Sequence, residues 1–206
     1  MLQDLLKNRK PIYETITESI VWDDTWIHWL DQPAATRALY IGDSISRGVR
    51  VVGNGMFGTK LFFDTFSTSK SLDNPYFFPT LKMFADQQPH REAVLFNNGL
   101  HGWHLTEEEY GELYDAFVDE LIREYGHDKI YLVLTTYSAS EHYPNNRVIA
   151  RNEIALRIAK EKNLKVIDLY TVSEANKEHL LDGVHFDDIG YTALANALAD
   201  AIKELW

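Results

Sequence analysis

Ser44, Asp182 and His185 are the residue types that together carry nucleophilic acyl chemistry, and they occur in that chain order. Ser44 lies in Gly42-Asp43-Ser44-Ile45-Ser46-Arg47-Gly48, directly after the apolar run Ala38-Leu39-Tyr40-Ile41. A strand turning into a helix there projects the hydroxyl into a crevice and leaves the Ser44 amide, at a helix start, able to face a developing oxyanion. Asp182-Gly183-Val184-His185 places a carboxylate three residues ahead of an imidazole, just before a C-terminal helical pattern. On a tight loop, the carboxylate can accept a hydrogen bond from one ring nitrogen and leave the other free to take the serine proton. The order Ser, Asp, His is one in which such triads recur, although this segment lacks the last glycine of the Gly-x-Ser-x-Gly elbow. Each segment alone has a structural explanation, because Asp and Ser also serve turns and helix caps, and the Asp/His pair could be a loop cap with a surface imidazole.

A further donor is available in Phe96-Asn97-Asn98-Gly99-Leu100-His101-Gly102-Trp103. An Asn carboxamide at a strand end can donate to a tetrahedral intermediate, and Gly99 permits close backbone approach. His101 and His104, with Glu108, raise the question of a metal. Their spacing departs from His-Glu-x-x-His and Gly102 argues for a loop, so no metal is expected, and His101 is read as lining the pocket beside Asn98. Tyr137 and His142, beyond the fourth apolar run, are placed on the crevice side, where Trp103, Tyr137 and Tyr143 would suit stacking on a sugar ring or ordinary packing.

These residues need elements to hold them. Five short apolar runs, 38–41, 61–63, 93–96, 130–134 and 166–169, suit strands of a parallel sheet buried on both faces. Helical patterns separate and follow them at 75–87, at 106–125 opened by a Thr106/Glu109 capping box, at 147–163, and at 189–206. The alternation implies βαβ units and a doubly wound α/β sheet, whose ligands bind beyond the carboxyl ends of the strands. Residues 1–33, with Trp22, Trp26 and Trp29, stand outside the alternation; they are read as an amphipathic segment on the flank of the sheet, with a lid or interface as the alternative.

At 206 residues, the chain is expected to form one domain. A net charge of −11 disfavours nucleic acid and anionic membranes as partners. The absence of cysteine excludes disulfides, a thiolate nucleophile and Cys-ligated zinc. Residues 1–20 carry charges throughout and no apolar leader or span, which predicts a cytoplasmic protein.

Through Gly42-Asp43-Ser44, Asn97-Asn98-Gly99 and Asp182-Gly183-Val184-His185, the sequence resembles the SGNH (GDSL-like) hydrolases. It is more closely similar to a bacterial subgroup with Ile41-Gly42-Asp43-Ser44-Ile45-Ser46-Arg47-Gly48, Thr68-Ser69-Lys70-Ser71-Leu72-Asp73, the Phe96–His104 segment and Asp182-Gly183-Val184-His185-Phe186; the similarity begins near Arg37. The resemblance implies a flavodoxin-like three-layer α/β/α sandwich around a five-stranded parallel sheet, with residues 37–206 as core and 1–36 flanking. It implies a serine esterase acting on a small-molecule ester, with Ser44, Asp182 and His185 as triad and no cofactor. Acetyl esters of sugars are favoured, and lipid esters or thioesters are the alternative substrates. The oxyanion role falls to the amide of Ser44, to Asn98 with Asn97 as alternative, and to an amide within Ser69-Lys70-Ser71, where Ser71 replaces the usual glycine. Asp43, Lys70, His101 and Tyr137 are the candidate substrate contacts, Lys70 being equally readable as a solvated loop charge. Two readings compete: a binding module on the same fold that has lost turnover, and a nucleotide or flavin binder, which lacks Gly-x-Gly-x-x-Gly and P-loop signatures. The sequence leaves the oligomeric state open.

Overall fold

The apolar runs become a sheet with helices on both faces. In the computed structural model, residues 2–7 and 20–206 are described. Residues 1 and 8–19, part of the stretch expected to lack a leader, lie outside the described residues. Strands β2 (Thr36–Gly42), β3 (Leu61–Thr68), β4 (Ala93–Phe96), β5 (Ile130–Val133) and β6 (Lys165–Ile167) are parallel, in the spatial order β3-β2-β4-β5-β6. That is the flavodoxin-like order, and the direction of winding reverses between β2 and β4.

The expectation of a five-stranded, all-parallel sheet needs one correction. A sixth strand, β1 (Asp23–Trp26), pairs antiparallel with the outer edge of β3, Asp23 opposite Thr68 and Trp26 opposite Thr65. Its sequence, Asp-Asp-Thr-Trp, carries no apolar run because an edge strand faces solvent, and its charges protect that edge from further pairing. Residues 23–26 are thus part of the sheet and not a segment packed on its flank. Ion pairs tie the strand down: Asp24 receives Arg50 at 2.9 Å and Arg47 at 3.0 Å, and Lys70 pairs with Asp23.

Alternation along the central strands divides the core. Leu39, Ile41, Phe66, Val94, Phe96 and Leu132 face one layer, built from α3 (Phe77–Ala85), α4 (Glu107–Tyr125) and α5 (Asn145–Lys162). Ala38, Tyr40, Phe63, Leu95 and Val133 face the other, formed by α2 (Ser44–Met56), α6 (Leu169–Ala175) and α7 (Asp188–Ala201). The Thr106/Glu109 capping box is made as the spacing predicts. The fifth apolar run is shorter than expected, since Asp168 leaves the strand to cap α6 by accepting from the Thr171 amide at 2.9 Å. Short helix α6 and the N-terminal α1 (Leu2–Lys7) were not foreseen. Among the described residues no helix is long and apolar enough to cross a membrane.

Two close approaches set the register of the active face. A Cβ on Gly48 would lie 2.1 Å from the Tyr191 ring, so α2 and α7 meet as closely as a glycine allows. Arg37, 2% exposed, forks onto both oxygens of Asp64 at 3.0 Å and donates to the Trp29 carbonyl at 2.7 Å, joining β2, β3 and the turn after β1. Burial raises the Asp64 carboxyl, against which the His28 amide and Arg37 act. Removing one partner strands a buried charge, so Arg37→Leu is expected to cost about 3–5 kcal/mol in urea unfolding; a loss below about 1 kcal/mol would contradict the account.

Candidate active site

Gly42 ends β2 and Asp43 begins the turn. The Asp43 carboxylate, 2% exposed, accepts from the Ile45 amide at 2.8 Å and so caps α2. The cap leaves the first helical residue, Ser44, with its amide at the open N-terminus and its hydroxyl beyond the carboxyl edge of the sheet. Ser46 locks the turn from below, donating to the Asp43 carbonyl at 2.6 Å and bonding Ser67 Oγ at 2.7 Å. Asp43, a candidate substrate contact from sequence, therefore shapes the elbow from inside the protein.

The imidazole arrives from the loop before α7. Asp182 Oδ1 accepts from the amides of Val184 at 3.0 Å and His185 at 2.8 Å, which folds the four residues into a tight turn. Gly183 takes φ +88°, a left-handed conformation suited to glycine, and its carbonyl accepts from the Ala139 amide at 2.8 Å. Asp182 Oδ2 meets His185 Nδ1 at 2.7 Å, and His185 Nε2 meets Ser44 Oγ at 2.7 Å. Burial alone would raise the Asp182 carboxyl, but the His185 amide and ring and the Val184 amide outweigh it and hold the group at about 2. An ionised carboxylate only accepts, so the His185 proton resides on Nδ1, and Nε2 accepts from the Ser44 hydroxyl.

Two further loops, after β3 and β4, carry the other candidate donors. Both Nδ2 hydrogens of Asn97 are committed, to the Val133 carbonyl at 2.8 Å and Thr135 Oγ1 at 2.9 Å. Asn98, fully buried, spends one on the Lys70 carbonyl at 2.9 Å and has a second to give. In Ser69-Lys70-Ser71, the Ser69 amide donates to Trp22 O and the Lys70 amide to Thr68 Oγ1. Ser71 is thus the one of the three whose amide is not engaged among the described residues. Its hydroxyl donates to Asp73, whose other oxygen meets His104 Nε2 at 2.8 Å.

The other sequence candidates lie elsewhere. Lys70 is neither solvated nor in the cleft, since its ammonium is buried against Asp23. His101 is buried, edge-on to Trp22 at 6.5 Å. Tyr137 turns away toward α6, its ring 6.3 Å from Tyr170 and its amide on Ser173 Oγ at 2.7 Å. Trp103 and Tyr143 pack on each other, with ring centres 6.0 Å apart. Among the described residues no three His, Asp or Glu side chains gather as a metal site. An open cleft of about 670 Å³ at Ser44 and His185 is lined instead by Val51, Val52, Leu181 and Ile189, none of which stood out in the sequence.

Sequence reasoning also missed Arg151. It is 1% exposed, donates to the carbonyls of Gly99 (3.0 Å), His101 (2.6 Å) and Gly102 (2.8 Å), and lies over the rings of Trp103 and Tyr110 at 4.2 and 4.4 Å. It fixes the loop that carries Asn98. The available cue was Arg151-Asn152 interrupting the apolar stripe of α5 between Val148 and Ala155.

Solved structures share this arrangement of elements. The lipase/acylhydrolase from Enterococcus faecalis superposes with a TM-score of 0.66 at 20% identity, over 82% of this chain and 96% of that one. The acetyl xylan esterase AlAXEase gives 0.64 at 15% identity, over 81% and 99%. Axe2, an acetylxylan esterase from Geobacillus stearothermophilus, gives 0.61 at 17% identity, over 82% and 95%. The chain has their fold. No protein-family model matches it, and neither does any curated protein.

The Asp182 bonding pattern has a measurable consequence. Because its folded-state pKa is depressed, the group stabilises the fold above about pH 4 and loses that contribution as pH falls toward 2. More than half of the carboxylate is exposed, so screening keeps the effect under about 1 kcal/mol. The stability difference between wild type and Asp182→Asn should shrink between pH 4 and 2; a difference that grows as pH falls through that range would refute the assignment.

Proposed function

We propose that the protein is a serine-dependent carboxylic ester hydrolase that removes small acyl groups, acetyl above all, from a carbohydrate through an acyl-enzyme. The observation that carries the reading is the unbroken chain Ser44 Oγ, His185 Nε2, His185 Nδ1, Asp182 Oδ2, with both links at 2.7 Å. Neutral imidazole with its proton on Nδ1 is the form required of a general base.

Ser44 Oγ attacks the ester carbonyl as His185 Nε2 takes its proton, and Asp182 stabilises the resulting imidazolium. The negative charge moves to the carbonyl oxygen, where the amides of Ser44 and Ser71 and the remaining Nδ2 hydrogen of Asn98 receive it. Collapse breaks the bond to the alcohol oxygen, which leaves with the proton from His185. Water then attacks the acyl-serine with His185 again as base, releasing the acid and restoring the hydroxyl. No step calls for a cofactor.

The acyl-group preference rests on likeness in fold to proteins titled acetyl xylan esterase and lipase/acylhydrolase, and on the sequence resemblance. Binding without turnover is the competing reading, and a fluorophosphonate probe separates them, since only an activated Ser44 is labelled. Ser44→Ala is expected to abolish hydrolysis of 4-nitrophenyl acetate and labelling, with an unchanged circular dichroism spectrum. Asn98→Ala should lower kcat about 100- to 1,000-fold. Wild-type turnover by Ser44→Ala would reject the mechanism.

A further inference from the structure

The cleft at Ser44 does not end at the catalytic residues. His185 borders it, and because His185 must protonate the departing oxygen, the alcohol portion of the ester lies on this side, away from the loops of Ser71 and Asn98. Val51, seven residues along α2 from Ser44 and so about 10 Å away, lines this cleft and also a second one of about 530 Å³. The second cleft is bounded by Trp26, His28, Trp29, Arg50 and Gly55.

Two indoles are presented there by unusual means. Trp29 takes φ +29°, a conformation that non-glycine residues avoid and that persists only where the surroundings over-determine it. They do so here: the Trp29 carbonyl accepts from Arg37, and its ring stacks on His28 at 4.9 Å and meets Phe62 edge-on at 6.0 Å. Trp26 is backed by the Arg50 guanidinium, 4.9 Å from its ring centre. Each indole is covered on one face yet 49% (Trp26) and 56% (Trp29) exposed. Arg50 is itself 8% exposed, and its Nε has no acceptor among the described residues.

We propose that Trp26 and Trp29 form a remote saccharide subsite, which holds sugar rings of an oligosaccharide whose acetylated unit sits at Ser44. The proposal rests on the esterase reading above. A pyranose ring has an apolar C–H face that suits the electron-rich exposed face of an indole. Neither the acyl group nor the alcohol of a small ester reaches this shelf. A saccharide chain crossing Val51 does.

The test uses xylo-oligosaccharides of one to six units, free and O-acetylated. Calorimetry should show the free hexamer binding wild type more tightly than the monomer, with Trp26→Ala weakening the hexamer about tenfold. In turnover, the ratio of kcat/KM for the acetylated hexamer to that for 4-nitrophenyl acetate should fall about tenfold in Trp26→Ala and Trp29→Ala and recover in Trp29→Phe. Taking the ratio within one preparation removes any loss of folded protein. No chain-length dependence, or a ratio that stays within twofold, overturns the subsite while Ser44-dependent acetate hydrolysis stands. Binding without Ser44-dependent hydrolysis overturns both this subsite and the esterase reading. A dimer that dissociates in Trp26→Ala, with the ratio unchanged, overturns the subsite in favour of a contact between copies of the chain.

Discussion

The contact between α2 and α7 is the constraint on which the site depends. Ser44 opens the first helix and His185 precedes the second, 141 residues apart in sequence and 2.7 Å apart in space. Helices with ordinary side chains at their contact keep their axes 8–10 Å apart. Here Gly48 admits the Tyr191 ring where any Cβ would collide, and a Cβ on Gly53 would in turn reach Ala195 at 3.5 Å. The Ser44–His185 distance is therefore a consequence of helix packing one turn along from Ser44. The capping carboxylates Asp43 and Asp187 fix where each helix begins, and so where each functional side chain emerges.

The opposite wall of the site is organised by buried polar groups. Arg151 gathers three carbonyls of the loop after β4, and Asn152 binds both the amide (2.8 Å) and the carbonyl (2.9 Å) of Thr135 after β5. Thr135 in turn occupies the space that a Gly99 side chain would need and takes one of the Asn97 hydrogens. Two consecutive asparagines thereby acquire different tasks. Asn97 ties β4 to β5 with both its side-chain donors, and Asn98 keeps one uncommitted. The network is dense but not complete, since Arg151 Nε and Asn98 Oδ1 are buried without a hydrogen-bond partner among the described residues.

Much of this was legible in the sequence, and the failures have physical causes. The five parallel strands were visible because burial on both faces forces continuous apolar runs, and the Thr106 cap because its chemistry is local. Ser44, Asp182 and His185 stood out by type and spacing. The edge strand β1 left no such trace, since three of its four residues are exposed and it exists only through pairing with β3. Lys70 and Tyr137 were misplaced for a related reason: a loop position near a site says nothing about which way a long side chain turns. Lys70 found Asp23 on a strand that had not been anticipated. Which of Asn97 and Asn98 keeps a spare donor depends on partners distant in sequence, Val133 and Thr135 for one and Lys70 for the other.

Exposure determines how such a site can work. His185 and Asp182 are 41% and 56% exposed on their side chains, so low dielectric contributes little to their interaction. The carboxylate is kept ionised instead by two backbone amides and the imidazole, all aimed from within a four-residue turn. On the cleft side the imidazole is bordered by Leu181 and Ile189, which are 72% and 61% exposed. Under the proposed esterase reading, a cleft open beyond His185 fits an ester whose acyl part is small and whose alcohol is large. The geometry of the helices and the exposure of the cleft thus point to the same division of the substrate.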